Sequence, residues 1–356
     1  MSANLWAIYC VDEQKFYYQW SVNAPTLCPN NPTDTINTPT VTAISPGSGA
    51  TGSNQLLFTN NGAITGTSQI TFDQNDSLPI LTNQNQNPSA PSANTGVKLY
   101  SEFKGGRCMP AAIGPYGMQY TFQPGLFNKS VGWYIAGVGT TVTLVNFGNS
   151  STGTATARTV ATSSFARSVK RIGYVSSATA GSSTGTRYGT LQFWLGNASG
   201  LGGFFYVVRF AMSSASNVVT QRSFVGLAGI TTVLTNQDPS LNTNILGFGV
   251  DSGDSTWYFM HNDGTGTATK DVLTGTFPPR DLTVSYFEAR LYCPSNTTTI
   301  FYSLEVLNGG SYYSGSTNSD IPANTQLLAP QIWTNNGTTA TAVGIDVSFQ
   351  YIETDF

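Results

Sequence analysis

The chain reads as all-β, with an N-terminal β-hairpin, a short β-strand shaft and a C-terminal antiparallel β-sandwich head. Three observations predict this. Lys, Arg, Asp and Glu make up only 9% of the 356 residues, against about 25% in an ordinary soluble domain. Ser, Thr and Asn fill the surface positions instead, which suits strands with neutral polar faces and turns rich in Gly and Asn. Short apolar or alternating runs also recur along the chain, separated by Gly, Asn, Asp and Pro clusters, the pattern of many antiparallel strands. Aromatics reach 12%, so the chain has the means to build a core.

Residues 1–45 form a first module. Trp6-Ala7-Ile8-Tyr9 and Phe16-Tyr17-Tyr18-Gln19-Trp20 read as two strands around the turn Asp12-Glu13-Gln14. The Pro-rich piece from Pro25 to Pro39 reads as extended. Residues 46–95 are a shaft and a linker. In Asn54 to Leu81, the runs Leu56-Leu57-Phe58 and Ile70-Thr71-Phe72 flank the turn Asn60-Asn61-Gly62 and precede Asp73-Gln74-Asn75-Asp76. Runs this short need other chains to complete a core. Thr82 to Thr95 has no aliphatic residue larger than Ala and reads as a polar connector.

Residues 96–356 are the head. Val97 to Phe127 is expected to be mostly turns and loops, given Met109-Pro110 and Gly114-Pro115-Tyr116-Gly117. Strands are expected at Gly132–Val138, Thr141–Phe147, Gly189–Trp194, Gly203–Phe210, Arg222–Leu227, Ile245–Val250, Thr256–Met260, Val284–Tyr292, Thr299–Val306, Gln331–Trp333 and Ala342–Ile352. Phe287-Glu288-Ala289-Arg290-Leu291 and Val347-Ser348-Phe349-Gln350-Tyr351 alternate like half-buried strands. One helix is expected over Ser163–Ile172. Ser163 would cap it, Phe165, Val169 and Ile172 would share a face, and Gly173 would stop it.

Net charge is −3, but the charges are not evenly spread. Between Glu102 and Asp238 there is no acid, while Lys104, Arg107, Lys129, Arg158, Arg167, Lys170, Arg171, Arg187, Arg209 and Arg222 give a formal +10. From Asp238 onward twelve acids face only Lys270, Arg280 and Arg290, a formal −9. Two readings stay open. A cationic surface would meet an anionic partner such as a charged polysaccharide; alternatively the two stretches interleave, or meet across subunits, and their charges pair. The bases accompany no nucleic-acid-binding motif, so nucleic acid is not an expected partner.

The longest apolar run, Leu201 to Met212, is interrupted by Arg209 and too short for a membrane span. The start lacks the basic region and cleavage motif of a signal peptide, and no membrane insertion is expected. Cys10, Cys28, Cys108 and Cys293 match no zinc spacing. A Cys10–Cys28 disulfide is one option; buried thiols in a reducing compartment are favoured.

Candidate chemistry is sparse. Asp251 with Asp254, or Asn262 with Asp263, offer hard oxygens to Ca²⁺, but without an EF-hand spacing they read as turn carboxylates, and no metal or other cofactor is expected. Glycoside cleavage needs two placed carboxylates, here to be drawn from Asp251, Asp254, Asp263, Asp271, Asp281 and Glu288. His261, the single histidine, has no G-x-S-x-G partner. No catalytic residue is assigned. Sugar binding is better served, because aromatic faces beside hydroxyls and carboxylates suit it. The candidates are Asp254, Trp257 and Tyr258, with Tyr312 and Tyr313; Trp194 and Trp333-Thr334-Asn335-Asn336 are weaker. The plainer reading of each aromatic is core or subunit interface.

Several pieces carry a resemblance. Asn60-Asn61-Gly62-Ala63-Ile64-Thr65-Gly66 followed by Phe72-Asp73 resembles the shaft repeats of bacteriophage tail and head fibres. Trp6, Ile8-Tyr9-Cys10, Ala24-Pro25-Thr26 and Cys28-Pro29-Asn30-Asn31 resemble the N-termini of such fibres. In the head, Gly105-Gly106-Arg107-Cys108-Met109-Pro110, Arg171-Ile172-Gly173-Tyr174-Val175-Ser176, Leu201-Gly202-Gly203-Phe204-Phe205-Tyr206, Phe224-Val225-Gly226-Leu227, Leu327-Leu328-Ala329-Pro330-Gln331 and Tyr351-Ile352-Glu353-Thr354 are similar to pieces of phage fibre proteins. The later strand pattern resembles a lectin-type jelly roll. The resemblance implies a homotrimeric virion protein assembled in the host cytoplasm. It would join other virion proteins (baseplate, tail or capsid) through Trp6, Tyr9, Phe16, Tyr18 and Trp20, and attach to a host surface glycan without catalysis. Two alternatives stay open: a purely structural decoration or adaptor, and a glycan-degrading tailspike.

Overall fold

The computed structural model describes the strands and a few flanking residues between 4 and 121, and residues 130–354 except 214–217, 233–235 and 281–284. Side chains are described at 91, 96–101, 109–115 and through that last stretch. The chain divides into two compact units, Met1–Asn87 with Leu99–Pro110, and Pro88–Lys98 with Ala111–Phe356. Nearly all regular structure is β.

In the first unit, Asn4–Cys10 (β1) and Lys15–Ser21 (β2) form the expected antiparallel hairpin, with Trp6 opposite Gln19 and Tyr9 opposite Phe16. Thr42–Ile44 (β3) adds to the other side of β1. The side chains of Trp6, Tyr9, Phe16, Tyr18 and Trp20 lie outside the described ones, as do Cys10, Cys28 and Cys108. The two shaft runs fall in Gln55–Asn60 (β4) and Ala63–Phe72 (β5), which pair antiparallel. Pro79–Leu81 (β6) completes a three-stranded sheet, and Asn83–Gln84 (β7) follows. Val97 to Phe127 is not mostly loop: Lys98–Lys104 (β8), Arg107–Ile113 (β9) and Gln119–Thr121 (β10) are strands, and Pro110 lies within β9.

The large unit is an antiparallel sandwich of two sheets. The strands of the first are Val131–Ala136 (β11), Val142–Val145 (β12), Thr154–Ala157 (β14), Ile172–Val175 (β15), Phe204–Met212 (β17), Tyr286–Cys293 (β22), Ile300–Val306 (β23), Tyr312–Thr317 (β24) and Gly344–Thr354 (β26). Its order is β12-β11-β26-β17-β22-β23-β24, with β15 and then β14 on the first half of β26. The second sheet takes Asn149–Thr152 (β13), Ser183–Tyr188 (β16), Arg222–Ala228 (β18), Ile245–Val250 (β19), Tyr258–Asn262 (β20), Thr269–Val272 (β21) and Ala329–Asn335 (β25), in the order β13-β16-β25-β18-β19-β20-β21.

Alternation puts one face of each sheet into a shared core. Tyr206, Val208 and Phe210 of β17, and Phe287, Ala289 and Leu291 of β22, point inward against Val225, Leu227, Leu246 and Phe248. The Phe259 and Tyr302 rings stack across the two sheets with centroids 3.7 Å apart. The outer face of the second sheet carries its own apolar layer of Phe224, Ile245, Met260 and Trp333. Gly226 and Gly247 lie opposite each other there, and a Cβ on Gly226 would come within 2.2 Å of the Leu246 carbonyl oxygen.

The long strand β26 departs from simple alternation. Arg209 pairs with Phe349 but Phe210 pairs with Val347, so Ser348 is an extra residue. This β-bulge flips the parity of the strand. Ile345 and Val347 face the core before it; afterwards Ile352 does, while Phe349 and Tyr351 face outward.

The expected helix shrinks to one turn, Phe165–Ser168 (α1), capped by Ser164, whose hydroxyl accepts from the Arg167 N–H. Val169 is already extended and Ile172 is a core residue of β15. Gly189–Trp194 is not a strand; only Phe193 bridges, to Leu328. Among the described residues no helix is long and apolar enough to cross a membrane.

Candidate functional site

The outer face of the first sheet is laid out by strand register in three rows. The first runs Val131, Glu353, Phe205, Tyr292, Phe301, Ser316. The second runs Trp133, Tyr351, Val207, Arg290, Ser303, Ser314. The third runs Ile135, Phe349, Arg209, Glu288, Glu305, Tyr312. These are the positions that alternation reserves for polar groups, yet more than half of them are aromatic or aliphatic.

Glu288 and Glu305 stand directly opposite each other, which is unfavourable for like charges. Arg290 resolves this by reaching both: its Nε donates to Glu288 at 2.5 Å and its Nη2 to Glu305 at 2.7 Å. Arg209 donates to the second oxygen of Glu288 at 2.5 Å and lies 5.5 Å from the Phe349 ring centre. Arg290 loses some basicity to burial, but Glu305 and Glu288 more than restore it and its pKa is raised. The ladder is formally neutral and holds its side chains rigid.

Beside it lies a groove of about 410 Å³ lined by Phe205, Tyr292, Phe301 and Tyr312, with Arg290 and Ser314. Tyr292 stacks on Phe301 at 5.8 Å and meets Phe205 edge-on at 6.3 Å. Tyr312, 57% exposed, forms one wall. Tyr302 forms part of the floor; burial, together with its hydrogen bond to Asp271, raises its pKa, so its phenol stays protonated. Aromatic faces, hydroxyls and a fixed guanidinium in one concave surface can bind a polar, ring-shaped ligand through stacking and hydrogen bonds.

The expected binding residues do not converge. Trp257 is corrected to a core residue: it is 0% exposed, wedged against Phe210 at 5.4 Å and Phe287 at 6.0 Å, and offers no face to a sugar. Tyr258 sits on the outer face of the opposite sheet, its ring 4.4 Å under the Lys270 ammonium. Asp254 accepts from that ammonium at 2.5 Å and from the Asp251 N–H at 2.8 Å. Tyr312 lines the groove, whereas Tyr313 turns inward to stack on Tyr302. Their segment is edge strand β24 rather than a loop. Trp333 is buried in the outer layer of the second sheet, and Asn336 ties loops together by donating to the carbonyls of Ser177, Thr179 and Thr341. Sequence reasoning missed Phe205, Tyr292, Phe301 and Arg290. Their signal was parity, since each is outward when its strand neighbours are core.

The carboxylates considered for chemistry are held in structural bonds. Lys270 bridges Asp251 and Asp254 where a cation would sit. Asp263 caps Thr265, Asp271 accepts from Tyr302, and Glu288 is clamped by two arginines; Asp281 lies outside the described residues. His261 is buried, with Nδ1 3.0 Å from the Asp320 carbonyl oxygen. Among the described residues no group of three or more His, Cys, Asp or Glu side chains could hold a metal. Cys293 is buried, its sulfur accepting from the Gly196 N–H.

No protein-family model and no curated protein matches the chain. Among solved structures it is similar to arcelin-5, a lectin-like defense protein from Phaseolus vulgaris, at 10% identity and a TM-score of 0.41, over 64% of this chain and 99% of that one. It is similar to the carbohydrate recognition domain of Emp47p at 13% identity and a TM-score of 0.43, over 62% and 93%. It is also similar to lectin I from Ulex europaeus, in complex with the methyl glycoside of α-L-fucose, at 11% identity and a TM-score of 0.40, over 64% and 98%.

Proposed function

We propose that this chain is a bacteriophage fibre protein whose sandwich attaches the virion to a host surface glycan without cleaving it. The groove of Phe205, Tyr292, Phe301 and Tyr312 beside the Arg290 ladder carries this reading. Its charges cancel within the ladder, so the ligand portion that fits it is a neutral sugar whose apolar face stacks on the rings. The first unit would join the virion through the hairpin that bears Trp6, Tyr9, Phe16, Tyr18 and Trp20. Three copies would complete the core of the shaft strands. The structural engagement of the candidate carboxylates supports a binding rather than a cleaving role.

The test is binding of the full chain to host cells and to immobilised host polysaccharide. Tyr312→Ala and Phe301→Ala should each weaken binding by about tenfold, the effect of truncating an aromatic anchor. Unchanged binding in both variants would remove the groove from the site. Release of reducing ends would replace attachment by degradation. Light scattering should give a trimer, and a monomer would end the fibre reading.

A further inference from the structure

The basic and acidic stretches interleave, as Arg209–Glu288 and Arg222–Asp238 illustrate, and the ladder beside the groove cancels its own charge. Shape sets the groove apart. Its floor is the middle row of the outer face, where Ser303 of β23 stands between Arg290 of β22 and Ser314 of β24. The serines are short, and the rows on either side are tall. Tyr292 and Phe301 rise along one side and Tyr312 along the other. The two flanking rows lie four residues apart on each strand, roughly 13 Å between Cα atoms, which leaves a flat six-membered ring room to stand between the side chains. Ser303 is 7% exposed and Ser314 is exposed, so the trough is deepest at β23 and shallows toward β24.

The trough has a direction. Its floor crosses the strands at about 4.8 Å per strand, close to the advance of one sugar unit along an extended chain. At the β22 end stands the Arg290 guanidinium, whose bonds to Glu288 and Glu305 use Nε and Nη2 and leave Nη1 to a ligand. At the β24 end the floor runs off the sheet: among the described residues no strand pairs with the outer side of β24. There Ser316 continues the aromatic row with a small side chain, so that wall falls away where the floor ends. A pyranose carries C–H groups on its faces and hydroxyls around its rim. Standing on edge here, it sets its faces against Phe301 and Tyr312 and its rim on the serine hydroxyls. The volume of about 410 Å³ exceeds that of one such ring, and the open end points over β24.

We infer that the groove holds a run of at least two sugar units, threaded across β23 and β24 and leaving over the edge of the sheet, so that its ligand is a length of polysaccharide chain rather than a single sugar. The inference rests on the glycan-binding reading above and adds length and direction to it. The first unit sits at Arg290, Ser303 and Phe301, and the second on Ser314 against Tyr312. The test uses the full chain with host surface polysaccharide, intact and cut by mild acid into fragments sorted by size from one unit to six, with affinities read by ligand-observed NMR. The two-unit fragment should bind about tenfold more tightly than the one-unit fragment, and the gain should level off by the third or fourth unit. Ser314→Gln, an exposed change that fills the floor at the second position, should shrink that gain to about twofold and leave the melting temperature unchanged. Tyr312→Ala should shrink it similarly, whereas Phe301→Ala, at the first position, should weaken both fragments alike. Equal affinity for one and two units, a gain untouched by Ser314→Gln and Tyr312→Ala, or a gain that rises evenly through six units would overturn the inference and leave glycan binding in place. Failure of the parent chain to bind the intact polysaccharide would end the glycan reading itself, and this inference with it.

Discussion

Replacing Trp257 by Ala separates core from site. The indole is fully buried between the sheets, edge-on to Phe210 and Phe287. Truncating a buried Trp costs about 3–5 kcal/mol through lost transfer energy and the cavity left behind. For a unit of this size each kcal/mol is worth roughly 2–4 °C, so the sandwich should melt about 6–20 °C lower. Among the described residues the indole N–H meets no hydrogen-bond partner, so Trp257→Phe loses volume but no hydrogen bond and should cost clearly less. The assay is scanning calorimetry of the full chain, paired with host-cell binding well below the transition. Binding should be unchanged in both variants. A loss of binding with an unaltered melting temperature would refute the reasoning and return Trp257 to the ligand site.

The other predictions concern charge and backbone. Burial lowers the Lys270 pKa, but hydrogen bonds and charge from Asp254 and Asp251 outweigh it and raise the pKa above its ordinary 10.5. The stabilisation is therefore full below 10.5 and lost as pH rises through the raised value; urea titrations should show Lys270→Met less stable than the parent at neutral pH, with a gap that narrows at high alkalinity. Burial pushes the Asp320 carboxyl up, yet bonds from Thr269 and Asp263 bring it below its ordinary 3.8. Its contribution is present above 3.8 and lost as pH falls through the lowered value, so Asp320→Asn, which tolerates the left-handed backbone there, should melt below the parent at neutral pH and close to it in strong acid, with the gap kept small by solvent screening. Gly226→Ala forces β18 from β19, because the new methyl meets main-chain atoms; about 1–3 kcal/mol should be lost in denaturant titration, and an unchanged midpoint would mean the strands adjust freely.

Strands with large apolar residues were legible in the sequence, often to within two residues: Ile245–Val250 coincides, and Arg222–Ala228 and Ile300–Val306 nearly so. Three of those missed are Thr- and Ser-rich. Asn149–Thr152, Thr154–Ala157 and Ser183–Tyr188 contain no Val, Ile or Leu, so hydrophobic periodicity is silent. They hold their places by side-chain bonds such as Thr184 to the Thr152 carbonyl. Gly189–Trp194 gave the opposite error, since its apolar residues pack against the core while its backbone finds a single bridge. Gly173 shows why a glycine is ambiguous: it reads as a helix stop, but its role is to leave room for a guanidinium 15 residues away in sequence.

The candidate site was harder to read than the fold because it arises from a parity change. Alternation through Val347-Ser348-Phe349-Gln350-Tyr351 places Val347, Phe349 and Tyr351 on one face, and burying all three is the natural expectation. The bulge at Ser348 breaks that rule, held by the bond of the Ser348 hydroxyl to the Arg209 carbonyl and its contact with the Tyr286 hydroxyl. Val347 stays in the core, while Phe349 and Tyr351 join Trp133, Phe205, Tyr292 and Phe301 outside. An outward aromatic face costs solubility, and the Arg209–Glu288–Arg290–Glu305 ladder set into the same face offsets part of that by presenting charge among the rings. Stability alone gives no reason to turn these rings to solvent when a register without the bulge would direct Phe349 and Tyr351 inward. The arrangement has a reason if the face is used to hold a ligand.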